Sequence, residues 1–219
     1  SKNLSNFESL LFLGLKEFKN KNYIKAKFYF SELKPNFENQ LVFAPLKLSL
    51  INWSEIMISN KVSDIKLLQS MPNNFGSFKS IQEVFAYCYF DNLDVDVKFE
   101  KNIKNEGDKF YRYNFFYANY LIEKNRKKEA VFILDSSANK YPRNLLINQL
   151  RENLKKNNKS KNKFSCQNPE DILAEIFYAF ANALSVQKRF ELSNLYINFS
   201  KYLNSNFKSY DALLAENLL

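Results

Sequence analysis

The chain has 219 residues, 46% of them hydrophobic, and its 32 Lys and Arg residues against 23 Asp and Glu residues give a net charge of +9. A chain of this length can bury a large core, and its three glycines and five prolines leave few places for tight turns, which argues against a strand-rich fold. It has no histidine and no C-x-x-C pair, which excludes the usual zinc sites and the catalytic sets built on an imidazole. We therefore predict an all-α protein that is not an enzyme and uses no cofactor or metal.

Apolar side chains recur three and four residues apart along most of the chain, which is the spacing of amphipathic helices. These segments form five predicted helix pairs, at 6–20 with 23–34, 41–58 with 62–70, 78–92 with 95–105, 110–124 with 127–141, and 170–187 with 189–203. Two further helices are predicted at 143–156 and 210–219. The second of these ends in the apolar run ALLAENLL, so we expect something to cover it, such as another copy of the chain.

The positive charge is concentrated in one segment. Five lysines and no acid lie between residues 155 and 163, and without them the net charge falls from +9 to +4, which is an ordinary protein surface. The low hydrophobicity of residues 157–167 predicts a flexible, solvated loop. We expect this loop to divide helices one to nine, in residues 1–156, from a fifth pair and a last helix, in residues 168–219, within one continuous array.

The clearest unit is FYRYNFFYANYLIEKNRKKEAVFILDSSANKYP, at residues 110–142. A short polar turn at 123–126 allows only an antiparallel neighbour, and the small residues Ala118 and Ala130 stand where the two helices approach closely. Pro142 ends the second helix. A 34-residue unit with small residues at positions eight and twenty and proline at thirty-two resembles a tetratricopeptide repeat.

Two other segments fit the same register. At the start of the chain Gly14 is eighth and Ala26 twentieth, and we interpret Gly14 as a glycine at a contact between helices. Near the end Ala181 is eighth, but Ser193 stands where alanine is expected, so this copy is weaker. The resemblance implies a right-handed α-solenoid of antiparallel helix pairs, with about five repeats and some extra helices.

A wider resemblance covers most of the chain. The runs LVFAPLKLSLINW and FAYCYFDNL and the residues from AEIFYAF to the end resemble the C-terminal half of longer alphaproteobacterial tetratricopeptide repeat proteins. Members with this pattern carry exported leaders, which implies a periplasmic location, with the cytoplasm as the alternative. No segment has the length and continuity of a transmembrane span.

The chain has two cysteines, 78 positions apart. Cys88 lies within the apolar run VFAYCYF, which predicts a buried small hydrophobe. Cys166 follows the lysine-rich segment, which favours an exposed position. A disulfide between them is compatible with the sequence, but nothing in the sequence supports it.

In tetratricopeptide repeats, positions two, five, nine and twelve of each first helix face a concave groove. The resemblance therefore implies a groove that binds a peptide or helix of another protein, with contacts from Arg112, Phe115, Asn119, Ile122, Tyr178 and Asn182. Asn119 and Asn182 both stand at position nine, where peptide-binding members use asparagine to hold the ligand backbone. We expect this scaffold role to be the function.

The alternative is binding of RNA or single-stranded nucleic acid. It is motivated by the net charge and by KFYRY at 109–113, where basic residues alternate with rings that could stack on bases. Aromatic residues at this spacing more often belong to a core, so we do not favour nucleic acid as the partner.

Overall fold

The computed structural model describes residues 6–35, 40–72, 76–105, 111–158, 160 and 162–218. In these residues the chain forms twelve α-helices and one short 3-10 helix, and it has no strand. The prediction of an all-α protein is confirmed. Within the same residues, no helix is long and apolar enough to cross a membrane.

The helices follow the predicted pairs closely, and a 3-10 turn at Val62–Asp64 precedes the fourth. In chain order they are α1 (Asn6–Lys19), α2 (Tyr23–Ser31), α3 (Gln40–Ser59), α4 (Ile65–Gln69), α5 (Gly76–Tyr89), α6 (Val95–Asn105), α7 (Tyr111–Glu123), α8 (Lys127–Lys140), α9 (Leu145–Lys155), α10 (Pro169–Val186), α11 (Phe190–Leu203) and α12 (Tyr210–Glu216).

The same backbone turn ends the first helix of every pair. Five residues in these turns have a positive φ of 49° to 63°, namely Lys21, Asn60, Asp91, Asn125 and Lys188. In four of these turns, the residue after the positive-φ residue donates its backbone N–H to the carbonyl five residues before it. One example is the bond from the Arg126 N–H to the Leu121 carbonyl at 2.8 Å. This is the Schellman pattern that ends many helices. The same turn ends α9 at Asn157, which has a φ of 51°, and none of these left-handed residues is glycine.

Gly14 on α1 lies directly against the ring of Phe30 on α2, and a Cβ placed on Gly14 would overlap that ring. Both residues are buried in the interface of the first pair. The interpretation of Gly14 as a glycine at a helix contact is confirmed. In the last pair, Ser193 occupies the position of the expected alanine, and its hydroxyl donates a hydrogen bond to the Ala181 carbonyl at 2.8 Å.

The C-terminal helices α10–α12, which we call the C-terminal unit, pack against the first helices of the preceding pairs. Helix α10 contacts α3 and α5 as well as α11, and its Phe180 ring lies 4.5 Å from the Phe78 ring of α5. Helix α11 reaches α1, where Lys19 donates to the Tyr202 carbonyl at 2.6 Å. Ten of the 18 residues of α10 are buried in these contacts.

The residues before α10 are part of the core, although the sequence predicts a flexible loop at 157–167. The Phe164 ring lies 4.2 Å from that of Phe116 and 5.4 Å from that of Phe85. Cys88 and Cys166 form a disulfide. Cys88 is buried as predicted, but Cys166 is only 2% exposed, so the expectation of an exposed Cys166 is wrong.

Part of the last helix is covered from within the chain. Tyr210 and Leu213 of α12 are buried, and α12 packs on α11. Asn217 fastens this contact, since its amide nitrogen donates to Ser193 Oγ at 2.8 Å and its Oδ1 accepts from Ser185 Oγ at 2.5 Å. Of the apolar run that the sequence predicts to need a cover, Leu213 is buried, Leu218 is 73% exposed, and the last residue lies outside the described residues.

We expect Gly14→Ala to lower the free energy of unfolding by about 1–3 kcal/mol, because the added methyl group forces the buried Phe30 ring out of its position. The matched control is Gly76→Ala, since nothing lies within 4 Å of a Cβ at Gly76. In that variant the free energy should stay the same or rise by up to about 1 kcal/mol, the gain in helix propensity. Urea unfolding followed by circular dichroism measures both changes. Equal stability of the two variants would contradict the close contact.

Candidate binding cleft

The structure separates the six residues predicted to line a groove. Phe115 is fully buried, and its ring lies 5.5 Å from that of Phe207 in the C-terminal unit. Asn182 is exposed on α10, and Tyr178 of the same helix is half-buried. Arg112 lies in a buried ion pair. Asn119 and Ile122 line an open cleft.

The ion pair joins Arg112 of α7 to Glu175 of α10. The guanidinium Nε donates to Glu175 Oε1 at 2.6 Å and Nη2 donates to Oε2 at 2.9 Å, while Nη1 donates to Ser209 Oγ at 2.9 Å. The guanidinium carbon also lies 4.0 Å from the centroid of the Tyr178 ring. Burial disfavours the charge on Arg112, but the adjacent carboxylate outweighs burial, so the pKa of Arg112 lies above its ordinary value. Burial also raises the pKa of the Glu175 carboxyl, and the adjacent guanidinium opposes this shift. The two hydrogen bonds tie the C-terminal unit to α7.

We expect Arg112→Met or Glu175→Leu alone to lower the free energy of unfolding by about 3–5 kcal/mol, because each leaves the other group buried without its partner. The double variant Arg112→Met/Glu175→Leu should recover a large part of this loss, since it removes both charges. Urea unfolding of the four proteins gives the coupling energy directly. Additive losses in the double variant would show that the two side chains do not act as a pair.

The open cleft lies between α7 and α9 and is closed on one side by Ser160 and residues 162–165, with a volume of about 580 Å³. Its walls carry side-chain amides, apolar groups and two carboxyl groups. The lining residues are Asn119, Ile122, Glu123, Lys127, Leu150, Asn153, Leu154, Asn157, Asn158, Ser160, Asn162, Lys163, Phe164, Ser165 and Asp171. This volume is in the range of ordinary ligand sites.

Three of the amides in the cleft have no hydrogen-bond partner for their side chains within the described residues, namely Asn153, Asn157 and Asn158. Asn119 uses only its Nδ2, which donates to the Phe115 carbonyl at 2.9 Å. Each side-chain amide offers both donors and an acceptor. The cleft therefore presents unused hydrogen-bonding groups of both kinds next to apolar surface.

The inner end of the cleft carries Asp171 and Glu123. Asp171 Oδ2 accepts from the Ser165 backbone N–H and its Oδ1 accepts from Asn168 Nδ2, both at 2.9 Å. Burial raises the pKa of the Asp171 carboxyl to about 7. Glu123 is more exposed and accepts a hydrogen bond from the Ser165 hydroxyl at 3.1 Å.

The part of the chain that is described contains no group of three or more His, Cys, Asp and Glu residues that could hold a metal ion. The two carboxyl groups are joined through Ser165, which positions a wall of the cleft. The residue types in the cleft suit hydrogen bonding to a ligand with both donors and acceptors.

No family model matches the chain, and neither a curated protein nor a solved structure has significant similarity to it. The resemblance to tetratricopeptide repeats therefore remains a prediction from the residues, and the repeated helix-ending turn is compatible with it.

Sequence reasoning missed most of the cleft. Asn153 lies on α9, which the sequence assigns only as an extra helix, and Asn157 and Asn158 lie at the start of the predicted flexible loop. Asparagine is abundant throughout the chain, so these positions do not stand out. Only the folding of residues 162–165 against α7 reveals them as neighbours of Asn119.

The raised pKa of Asp171 predicts a pH-dependent stability. Between the ordinary value of 3.8 and about 7 the folded protein holds a proton that the unfolded chain has released, so stability is highest at low pH and falls as the pH rises. Relative to Asp171→Asn, which cannot titrate, the wild-type free energy of unfolding should fall by about 1–3 kcal/mol between pH 5 and 8. Urea titrations at several pH values measure this difference. A difference that is constant over the range would contradict the buried, protonated carboxyl.

Proposed function

We propose that the protein is a non-enzymatic protein–protein interaction module, a right-handed solenoid of tetratricopeptide-like helix pairs that binds an extended segment of a partner protein in the cleft between α7 and α9. The observation that carries this proposal is the row of unused amides, Asn153, Asn157 and Asn158, beside the apolar side chains of Ile122 and Leu154. An extended backbone presents N–H and C=O groups in alternation, and its side chains need apolar contacts. The amides of the cleft can bond to the ligand backbone, and Ile122 and Leu154 can contact its side chains.

The repeated turn supports the solenoid part of the proposal. Each of the five pairs leaves its first helix through a residue in the left-handed conformation, although the residue type differs from turn to turn. Pairs that share one turn geometry stack with similar rotations, and such stacking curves the array. The first helices then share one face, which is the face that receives the C-terminal unit.

The C-terminal unit explains why the cleft lies where it does. Its contacts with α1, α3 and α5 occupy much of the face that the first helices share. Next to α7, this face continues toward α9 as the open cleft. We therefore propose Asn119 and Ile122 as contacts to the partner. Phe115 is buried and Arg112 is paired with Glu175, so we do not propose these two side chains as contacts.

No observation favours the nucleic-acid alternative. Of the segment 109–113 that motivated it, the first two residues lie outside the described residues. Arg112 is committed to Glu175, and Tyr113 is only 4% exposed. A base cannot stack on a ring that is buried in the core.

The test compares two double variants that remove the same chemical group in different places. Asn153→Ala/Asn158→Ala removes two unused amides from the cleft, and Asn182→Ala/Asn198→Ala removes two exposed amides from α10 and α11. Loss of two hydrogen bonds should weaken partner binding by about 1–3 kcal/mol, which is roughly 5-fold to 150-fold in Kd. The second double variant should bind like the wild type.

The partner is captured from a lysate with the wild-type protein, identified by mass spectrometry, purified, and titrated against each variant by calorimetry. Circular dichroism confirms that both variants keep their helices. If the cleft variant binds like the wild type while the control variant loses binding, the partner lies on α10 and the proposed site is wrong.

A further inference from the structure

The disulfide joins the cleft wall to α5. Cys88 lies on α5 and Cys166 precedes α10, with 78 positions between them and 5.8 Å between their Cα atoms. Phe164 and Ser165, the two residues before Cys166, line the cleft. The covalent link therefore ends directly at the wall that closes the cleft.

Besides the disulfide, packing of the buried Phe164 ring and a small set of hydrogen bonds hold this wall. The Ser165 hydroxyl donates to Glu123 at 3.1 Å, and Asn162 Oδ1 accepts from the Ser209 backbone N–H at 3.0 Å. Residues 162–168 contain no helix, so the segment lacks a ladder of its own hydrogen bonds. The Lys163 backbone N–H donates to the Asn206 carbonyl at 3.2 Å, and Asn204 Nδ2 donates to the Lys163 carbonyl at 2.8 Å. The Ser165 N–H donates to Asp171 at 2.9 Å. Segments of this kind open at a low free energy unless they are tied down.

The C-terminal unit has stronger attachments that do not depend on the disulfide. Glu175 is bound to Arg112 by two charged hydrogen bonds, and α10 packs along α3, α5 and α11. Loss of the disulfide should therefore release the wall before it releases the helices. The disulfide acts mainly on the one side of the cleft that has no secondary structure.

We propose that oxidation of Cys88 and Cys166 assembles the cleft, so that the protein binds its partner segment only in the oxidised state. The binding part of this statement rests on the proposed function. In the assembly step each thiol loses its hydrogen, one S–S bond forms, and two electrons and two protons pass to a disulfide of a thiol–disulfide exchange partner, which becomes two thiols. Disulfides persist in oxidising compartments, so the cleft is complete in such a compartment and open in a reducing one.

Hydrogen exchange of single backbone amides tests the assembly without any partner. The amides of Lys163 and Ser165 are measured in the oxidised protein, in the protein reduced with a phosphine, and in Cys88→Ala/Cys166→Ala. We expect exchange at both amides to be at least about tenfold faster in the last two samples. The Ala26 amide, which donates within the distant first pair at 2.9 Å, should exchange at an unchanged rate.

Two results would overturn the assembly proposal. Unchanged exchange at Lys163 and Ser165, in a sample whose mass shows two free thiols, means that the other bonds hold the wall. Equal acceleration at Ala26 means that the disulfide holds the whole fold and not the cleft in particular.

A second arm tests binding with a defined probe. A cysteine-free peptide is selected from a displayed random library on the oxidised protein, and it is kept if Asn153→Ala/Asn158→Ala abolishes its binding. Its affinity should fall at least about tenfold when the protein is reduced. An unchanged affinity overturns the redox dependence. If no peptide depends on the two asparagines, the proposed function fails, whereas the exchange rates still decide whether oxidation assembles the wall.

Discussion

The buried ion pair between Arg112 and Glu175 is the interaction on which the rest of the structure depends. A guanidinium and a carboxylate that leave water lose several kcal/mol of solvation each, and only a close, well-aligned pair offsets this loss. The two-point geometry at 2.6 and 2.9 Å leaves little freedom in how α7 meets α10. The pair therefore constrains how the C-terminal unit meets the preceding helices, and loss of either partner alone would leave the other group buried and unpaired.

The position of the C-terminal unit determines in turn which surface is open. The helices α10 and α11 cover the first helices of the early pairs, so most of the wall that a free solenoid would present to a guest is already used. What remains is the cleft beside α9, closed by the segment that runs from the lysine-rich residues into α10. The ion pair holds α10 at Glu175, and the disulfide holds the segment before α10 at Cys166. The cleft is thus a consequence of two long-range links and not of any local motif.

Several features follow from local chemistry and could be predicted. The spacing of apolar residues predicted all the helix pairs, because one buried face requires that spacing in any helix. Gly14 could be recognised because a close contact between helices requires a residue without a side chain. Cys88 could be recognised as buried because its neighbours in the sequence are apolar. Cys166 and Phe164 could not be recognised as core residues. Their neighbours are lysines and asparagines, and only the contacts with residues far along the chain bury them.

The sequence by itself determined the all-α fold class and the order of the helices in the described residues, because both depend on the spacing of apolar residues within short segments. Only the tertiary structure decided that Arg112 pairs with Glu175, that Cys88 meets Cys166, and that Asn153 of α9 lines one cleft with Asn119 of α7. These contacts join residues 63 and 78 positions apart in the two measured links. No periodicity within a single helix carries information about such partners, because a charged or small residue on a helix face has the same local pattern whether its partner is water or a distant side chain.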